Sequence, residues 1–593
     1  MSLFLKEMVK KIKSPEILLL FFLALLFYVS APRTVQFGDT GELVTNSFYL
    51  RVSHPPGYPL WTAIYHLPIR LLSFLSPFFV ASLFTVVISL LWIGLLVFNF
   101  KNKMSIGVIL VLTTNLIFWR YSILPDVFAL HLLFLTLVFW GLCKPELLSR
   151  WWYVFLVSLS VAHHHTILFV FPMYLYALFY NINRKKVLLS LVFGIFSLSL
   201  YFLLLFFHPK HLGSWGNILT IKDVVSHFLR KDYGTFALHG MGGNDNSWLL
   251  FFVKMFFFSF WSFFIAGFYV IKNFSLEAVS KKLSVLLFCF FIYLFVFFIS
   301  GVMPMDRLGE LTFERFLLQP FLIFSFMILL LVNLSGVKLP QWIFLCFLIN
   351  SGVNLLHNFK VNNYSANTLI EDYMLNNLQS LPSNSVLYNQ GDTYAFATYY
   401  LREVHGVRPD IKFFSNFITF PWGSKKIMSS YPEVFSKKWD SLLEKFDFDK
   451  FIYFSNVEQS YAVPGLQWTY YGLLFKLEKK SSATKEMRFE CNVARNFQWR
   501  HRLELQDFQD VEFSYVYDQS YGSCYFSSGF LKMAKGDYSS AARDFEKAVA
   551  LSPFSAKNQR WLCIAYKKSL SPLVDDCEQR LEMIMLNVSQ HYD

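Results

Sequence analysis

The 593-residue chain is poor in charge and lacks the short motifs of many soluble enzymes. Only 16% of its residues are charged, whereas 55% are hydrophobic and 20% aromatic; the mean hydropathy is +0.41. This composition excludes an ordinary soluble enzyme and is typical of a membrane protein with several spans. No P-loop, GxGxxG motif or Ser-His-Asp grouping is evident, so no motif indicates a nucleotide site or a triad hydrolase.

Cysteine is also scarce, with seven residues in the whole chain. No CxxC pair or Cys/His spacing typical of metal sites appears, which argues against a structural zinc site. Four cysteines lie in the polar C-terminal part: Cys491, Cys524, Cys563 and Cys577. These four could form two disulfides in an oxidising compartment or stay free thiols, and the sequence leaves both alternatives open.

Basic residues outnumber acidic ones and give a net charge of +13. Lys and Arg recur in short clusters between apolar runs, which favours the positive-inside pattern of a membrane protein over nucleic-acid binding. The basic start "MSLFLKEMVKKIK" precedes an apolar run longer than a signal peptide's, and "APRT" is a poor cleavage site, which indicates an uncleaved first span. Further apolar runs follow near 79–99, 105–119, 123–143, 151–180, 187–207, 249–271, 283–302, 316–334 and 340–356.

The run 151–180 decides the predicted topology. As one helix it would be about 45 Å long, more than a membrane needs. "AHHHT" (162–166) lies at its middle, so we predict two short helices that meet at the histidines. This choice places Arg184, Lys185 and Lys186 inside, as the positive-inside rule prefers. The result is about eleven spans, with the first loop, the histidine turn and the C-terminal region outside.

Composition divides the chain into three predicted domains. Residues 1–358 form the membrane domain, with a first external loop at 32–78, and residues 359–485 form a soluble external α/β domain. Residues 486–593 form a helical region, because "GFLKMAKGDYSSAARDFEKAVALSP" has the spacing of a tetratricopeptide repeat. Neighbouring helices at 555–590, and at 500–520, would complete that unit for packing or for docking a protein partner.

The stretch "FGDTGELVTNSFYLRVSHPPGYP" (37–59) is unusually polar for its place in the chain. Asp39 and Glu42 would share one face of a helix, while Gly38 and Gly41 favour a turn or a helix start with Asp39 as N-cap. "HPPGYP" fixes a backbone path. One interpretation is a capping carboxylate in a solvated loop; the other is a general base for a hydroxyl group.

At this point the residues resemble a known family. "GDTGEL" and "HPPGYPL" are similar to the hallmark of multi-span protein O-mannosyltransferases, a group first catalogued as a bacterial domain of unknown function and related to a transmembrane enzyme of the animal endoplasmic reticulum. "HHHT", "HFLRKDYGTF", "ERFLLQP" and "GDTYAFATYYLREVHGVRPD" match further segments in order. "PDVFALH" departs from the family pattern, since the family usually has Glu where this chain has Asp126.

The resemblance implies a C-type glycosyltransferase fold with a catalytic first external loop. Asp39 would be the general base, and Glu42 would orient the acceptor or share that role. The donor would be a polyprenyl-phosphate sugar, with mannose expected. The implied substrate-binding residues are His54, Tyr58, Asp126, His163, His164, His165, Arg230, Tyr233 and Arg315, together with Lys231 as a further cation.

Some roles stay open at this stage. His54 binds the substrate or braces the Pro-rich turn. For the three histidines, phosphate contact or a satisfied polar pair at the floor of the cavity is favoured over metal binding, because consecutive helical residues point in different directions and at most two could ligate one ion. No metal ligand or cofactor is assigned, although a divalent cation is left open. For Asp392, Arg408 and Asp410 we favour turn capping and docking of the soluble domain on the membrane part over acceptor binding.

The predicted function is transfer of a hexose, with mannose expected, from a lipid phosphate to Ser/Thr hydroxyls of acceptor proteins on the external face. The alternatives are transfer to a lipid or glycan acceptor, and a transporter or flippase of lipid-linked sugars. A flippase would carry charges through the bilayer midplane, whereas here they gather at one face. We expect no nucleic-acid partner, and a bacterial inner membrane is favoured over the endoplasmic reticulum.

Overall fold

A computed structural model describes most of the membrane part and less of the C-terminal part. The described residues are 14–180, 182–208, 214–215, 218–232, 247–273, 280–300, 313–334, 339–389, 392–415, 452–454, 466–479, 488–496, 498, 500 and 522–588. Their contacts define two compact units. The membrane unit comprises residues 1–33, 46–211 and 217–366, and the C-terminal unit comprises 34–45, 212–216 and 367–593.

The secondary-structure elements of the described residues up to Asn362 are all helices. Its α-helices are α1 (Pro15–Ser30), α2 (Thr40–Tyr49), α3 (Pro59–Leu71), α4 (Pro77–Asn99), α5 (Lys103–Thr114), α6 (Leu116–Ile123), α7 (Phe128–Cys143), α8 (Trp151–Ser158), α9 (Phe171–Phe179), α10 (Arg184–Ser199), α11 (Ile221–Phe228), α12 (Ser247–Asn273), α13 (Ser280–Ser300), α14 (Leu318–Leu334) and α15 (Gln341–Asn362). Short 3₁₀ helices lie at Pro145–Ser149, Leu159–Ala162, His165–Val170, Leu200–Leu205 and Arg315–Leu317.

Five of the described helical segments are long and apolar enough to cross a membrane: Pro77–Asn99, Arg184–Leu205, Leu249–Asn273, Arg315–Asn333 and Gln341–Asn362. A sixth results if α5 and α6, which bend by 71° at their junction, count as one span. The most apolar window of Arg315–Asn333 is 83% buried, whereas that of Arg184–Leu205 is 17% buried. The described chain is therefore a helical membrane protein, with α14 central and α10 peripheral.

The two breaks in apolar runs have local causes. At the junction of α5 and α6, the Asn115 side chain accepts hydrogen bonds from the N–H groups of Ile117 (3.0 Å) and Phe118 (3.4 Å), which caps a new helix. The run 151–180 divides, as predicted, into Trp151–Ala162 and His165–Phe179. His163 and His164 lie between the two segments, so the histidine turn is a real interruption of the helix.

Aromatic rings and small polar side chains join the helices of the membrane unit. Phe139 of α7 stacks on Phe326 of α14 with ring centroids 3.8 Å apart. The Ser262 hydroxyl of α12 donates to Asn350 Oδ1 of α15 at 2.7 Å. Such interhelical hydrogen bonds are typical of packed membrane helices.

The C-terminal unit contains a six-stranded mixed sheet in the order β2-β1-β3-β5-β4-β6. Strand β1 is parallel to β2 and β3, β5 is antiparallel to β3 and β4, and β4 is parallel to β6. The elements are α16 (Leu369–Ser380), β1 (Val386–Asn389), α17 (Asp392–His405), β2 (Lys412–Ser415), β3 (Ile452–Phe454), β4 (Leu466–Tyr471), β5 (Leu474–Lys479), β6 (Arg488–Glu490) and a 3₁₀ helix at Cys491–Asn496.

Four helices end the described chain: α18 (Ser523–Ala534), α19 (Tyr538–Leu551), α20 (Ala556–Lys568) and α21 (Val574–Val588). Gly529 of α18 faces the ring of Phe545, where an added Cβ would lie 3.0 Å from the ring. Two disulfides, Cys491–Cys524 and Cys563–Cys577, settle the alternative that the sequence left open. The helix expected at 500–520 lies outside the described residues apart from Arg500.

Candidate active site

The acidic residues of the first loop lie at the start of a helix. Helix α2 begins at Thr40, and the Leu43 N–H donates to the Asp39 carbonyl oxygen at 2.9 Å. Asp39 is half-buried, whereas Glu42 in the first turn is fully buried at 0% exposure. A carboxylate in the first turn is stabilised by the positive end of the helix dipole. Asp39 is therefore the more accessible of the two carboxylates, and Glu42 is the more fixed.

Residues far along the chain hold this acidic segment. Thr34 Oγ1 donates to the Asn367 carbonyl oxygen at 2.8 Å, and Gln36 Nε2 donates to the same oxygen at 3.0 Å. The Gly38 N–H donates to Thr393 Oγ1 at 3.2 Å. These contacts anchor residues 34–38, directly before Asp39. Residues 34–45 belong to the C-terminal unit.

Gly41 allows the closest approach in this segment. A Cβ added there would lie 2.6 Å from the carbonyl oxygen of Phe396 in α17. Because that oxygen belongs to the backbone, no side-chain movement can relieve the clash. Only glycine fits such a contact between α2 and α17. Residues of the C-terminal block thus support the acidic residues directly, which the sequence analysis missed.

Arg408 and Asp410 of the same block stabilise a turn. Asp410 pairs with Arg408 at 2.8 Å and accepts the Asn384 N–H at 3.1 Å. Arg408 Nη1 donates to the carbonyl oxygens of Leu378 and Leu381. The Arg408 hydrogen bond holds the pKa of Asp410 below its usual range. This is the turn-capping role that the sequence analysis favoured for both residues, while Asp392 is exposed at the start of α17.

The Pro-rich half of the motif is built differently. Asn46 Nδ2 donates to the Val52 carbonyl oxygen at 3.1 Å, and His227 Nε2 of α11 lies 2.9 Å from the Ser53 carbonyl oxygen. Since that oxygen can only accept, His227 carries its proton on Nε2. Burial lowers the pKa of His227 to about 3, so the ring is neutral. Gly57, at φ +96°, leaves room for this ring, because a Cβ there would lie 2.9 Å from it.

Three histidines lie close together in the membrane unit, two of them beside the Tyr58 ring; we term His131, His163 and His164 the histidine cluster. The Tyr58 ring stacks on His164 at 6.1 Å and lies 6.3 Å from His163. The Tyr58 ring also makes an edge contact with His54 at 5.2 Å. His131 lies 5.1 Å from His164. The structure therefore brings together four predicted site residues, together with His131, which the sequence analysis had not selected.

Hydrogen bonds fix the rings of the cluster. His131 Nε2 lies 2.9 Å from Gln319 Oε1, and His163 Nε2 lies 2.8 Å from the Val127 carbonyl oxygen, so both nitrogens donate. His164 Nδ1 accepts the Thr166 N–H at 3.3 Å, which places the proton of the neutral ring on Nε2. Within the described part of the chain nothing accepts from His164 Nε2. That N–H is therefore available to a ligand.

The other predicted site residues lie at several places. Asp126 is 4% exposed; its Oδ1 accepts the Val127 N–H at 2.5 Å and its carbonyl oxygen accepts from Trp61 Nε1 at 3.2 Å. His165 contacts Phe228 at 4.7 Å. Arg230, at φ +52°, follows α11, and Arg315 is half-buried before α14. Tyr233 lies outside the described residues.

One buried ion pair escaped the sequence analysis. Arg120 Nη1 donates to Glu314 Oε1 at 2.7 Å, and the two residues are 3% and 5% exposed. A single arginine inside the apolar segment "LIFWRYSIL" was the available signal, because buried charges in membrane proteins require partners. The pair fixes Glu314, the residue directly before Arg315.

Comparison with known proteins gives matches that include the first loop and the histidine turn. The N-terminal domain of protein O-mannosyl-transferase TMEM260 matches residues 39–188. Over 450 residues the chain is 26% identical to the protein O-mannosyl-transferase TMEM260 of Mus musculus, covering 69% of the chain and 64% of that protein. The chain is similar to TMEM260 proteins over this part of its length.

A second similar protein carries the same name. The protein O-mannosyl-transferase tmem260 of Dictyostelium discoideum is 26% identical over 491 residues, covering 69% of the chain and 58% of that protein. The chain thus spans less than two thirds of the length of both relatives. These matches confirm the resemblance seen in the sequence, and the matched TMEM260 domain contains Asp39, Glu42, Tyr58 and the histidine turn.

Proposed function

We propose that this chain is a membrane glycosyltransferase that moves mannose from a polyprenyl-phosphate donor to Ser/Thr hydroxyls of proteins on the external face. The relatives' names support transfer of mannose to protein oxygens. The observation that carries the proposal is the half-buried Asp39 at the start of α2, inside the matched domain and held by the Gly38 and Gly41 contacts.

Asp39 is the proposed general base. Its carboxylate takes the proton of the acceptor hydroxyl while that oxygen forms a bond to the anomeric carbon. The bond from the anomeric carbon to the donor phosphate oxygen breaks, and the lipid phosphate leaves with the electron pair. Glu42, which is fully buried, orients the start of α2 rather than reaching the acceptor.

The leaving phosphate needs hydrogen-bond donors and positive charge. We assign the first contact to His164 Nε2, because its Nδ1 is already an acceptor for Thr166. Arg230 and Arg315 are the proposed cations. His54 contacts the Tyr58 ring, and this favours the bracing role over direct substrate contact.

Finer points of architecture belong to the same proposal. We propose a C-type glycosyltransferase fold with about eleven spans and a tetratricopeptide-like end that docks a protein partner. The two disulfides support an oxidising compartment for the C-terminal unit, such as the periplasm or the endoplasmic reticulum lumen. The bacterial inner membrane is the location we propose, on the strength of the Phe-rich composition and the added helical region.

The test is a transfer assay with the purified full-length chain, labelled polyprenyl-phosphate mannose and a Ser/Thr-rich peptide. Asp39→Asn keeps the size of the side chain but removes the base, so transfer falls by about 100-fold or more. Asp537→Asn, on the exposed cap of α19, is the matched control and keeps wild-type activity. Wild-type transfer by Asp39→Asn would refute the assignment, and label found on lipid or glycan instead of peptide would refute the acceptor class.

A further inference from the structure

A cavity of about 320 Å³ lies in the membrane unit, away from the histidine cluster. Helices α4, α7, α13 and α14 contribute its walls or its rim. Its polar lining includes Asn99, Lys144, Lys282 and Asn333, and its apolar lining includes Leu95 and Trp140. None of these residues has a part in the transfer proposed above.

The cavity lies at the opposite end of two helices from the histidine cluster. On α7, His131 is near the first residue and Lys144 follows the last; thirteen residues at 1.5 Å each separate them by about 20 Å. On α14, Gln319 contacts His131 and Asn333 lines the cavity, a separation of about 21 Å. The positive-inside rule predicts that the lysine-rich end is the inner one.

Two ammonium groups line this cavity and have no carboxylate partner among the described residues. Lys144 Nζ donates to Asn99 Oδ1 at 2.9 Å, and Lys282 Nζ donates to the Cys143 carbonyl oxygen at 3.1 Å. Within the described residues neither ammonium forms an ion pair with a carboxylate. Each ammonium has three N–H donors, so both keep donors for an anion. Lys144 is exposed, and its Nζ also lies 5.8 Å from the centroid of the Trp140 ring.

The rest of the cavity suits a hydrocarbon chain rather than a small soluble anion. Leu95, Leu96, Phe100, Phe139 and Leu330 supply apolar surface beside the lysines. Trp140 also lines the cavity, and its indole N–H is buried without an acceptor among the described residues. A ligand with an anionic head and an apolar tail would match both parts.

We propose that this cavity binds an anionic phospholipid of the inner leaflet, with its phosphate between Lys144 and Lys282 and an acyl chain along the apolar wall. Basic pockets between membrane helices at the inner surface bind such head groups. The site is separate from the donor site, and the proposal does not depend on the transfer reaction.

Binding is measured by native mass spectrometry of the full-length protein in detergent, titrated with phosphatidylglycerol or with phosphatidylcholine. Wild type retains phosphatidylglycerol in preference. The double variant Lys144→Gln/Lys282→Gln loses about tenfold or more of that affinity. Lys281→Gln is the matched control, because this exposed lysine adjoins Lys282 without lining the cavity, and it binds like wild type.

A second variant removes the apolar part without changing charge. Leu95→Trp fills part of the cavity and reduces phosphatidylglycerol binding. The variant leaves both lysines in place, so the charge at the cavity is that of wild type. Equal binding of both lipids by wild type, or equal loss in Lys281→Gln and the double variant, overturns the site. Displacement of phosphatidylglycerol by millimolar inorganic phosphate overturns the lipid source, since a free anion would then suffice.

Discussion

The two halves of one sequence motif are supported by different parts of the protein. The acidic half (37–45) is bound by residues of the C-terminal unit, with 355 positions between Gly38 and Thr393. The Pro-rich half (52–59) is bound within the membrane unit, with 174 positions between Ser53 and His227. The division between units falls inside α2, between Thr45 and Asn46. A motif that reads as one loop is thus two separately supported segments.

The two supports also differ in chemistry. The acidic half depends on a close backbone approach at Gly41 and a hydroxyl acceptor at Thr393. The Pro-rich half depends on a neutral, buried imidazole at His227. Steric changes should therefore disturb the first half, whereas acid should disturb the second.

The largest effect is expected from Gly41→Ala. The new Cβ would overlap the Phe396 carbonyl oxygen at 2.6 Å, so α2 and α17 must separate. A displacement of about 1 Å can lower catalysis by about 100-fold, and overpacking lowers the free energy of unfolding by about 1–3 kcal/mol. The transfer assay and thermal unfolding measure the two quantities.

Gly352→Ala is the control for this substitution. Gly352 is also helical, in α15, but nothing lies within 4 Å of its added Cβ. Its activity and stability should match wild type. Full activity of Gly41→Ala would show that the acidic half tolerates movement relative to α17, and the proposed support would be wrong.

The second prediction concerns acid and the Pro-rich half. The folded-state pKa of His227 is about 3, below its ordinary value of 6.5, so protons bind preferentially to the unfolded state. The contribution of the neutral His227 ring to folding stability is complete above pH 6.5 and decreases as the pH falls towards 3. At pH 5 the free energy of local unfolding should be about 2 kcal/mol lower than at pH 7. Amide hydrogen exchange of residues 52–58, corrected for the intrinsic exchange rates at each pH, measures this free energy of local unfolding.

His227→Gln separates this effect from general acid sensitivity. The amide N–H of Gln can replace the donor to the Ser53 carbonyl oxygen, but it does not titrate between pH 5 and 7. The pH dependence of exchange at 52–58 should therefore flatten in this variant. An unchanged slope would assign the acid response to another group.

The sequence could predict features that depend on neighbouring residues. The split of 151–180 at the histidines followed from helix length and from the charges after it. The helix start at Thr40, directly after Asp39, followed from Gly38 and Gly41, which favour a turn or a helix start and are local signals. Both features are confirmed in the structure, because hydrophobic length and turn-forming glycines act over a few residues.

Long-range partners could not be predicted in this way. Nothing near Gly41 indicates that α17 approaches it, since the carbonyl oxygen that excludes a side chain belongs to Phe396. The buried pair Arg120–Glu314 joins residues 194 positions apart. In such cases the sequence shows an isolated glycine or charge, and only the fold identifies its partner.

The smallest effect is expected from removing the hydroxyl group that accepts the Gly38 N–H in the acidic half. Thr393→Val removes the acceptor of the Gly38 N–H and keeps the shape of the side chain, which costs about 1 kcal/mol for a single neutral hydrogen bond. Transfer should fall by less than about tenfold, and Thr393→Ser should restore it because its hydroxyl can accept the same N–H. Exchange of the Gly38 amide should rise in Thr393→Val but not in Thr393→Ser, whereas residues 52–58 should be unaffected in both. Increased exchange at 52–58 would show that the two halves of the motif are supported jointly and not separately.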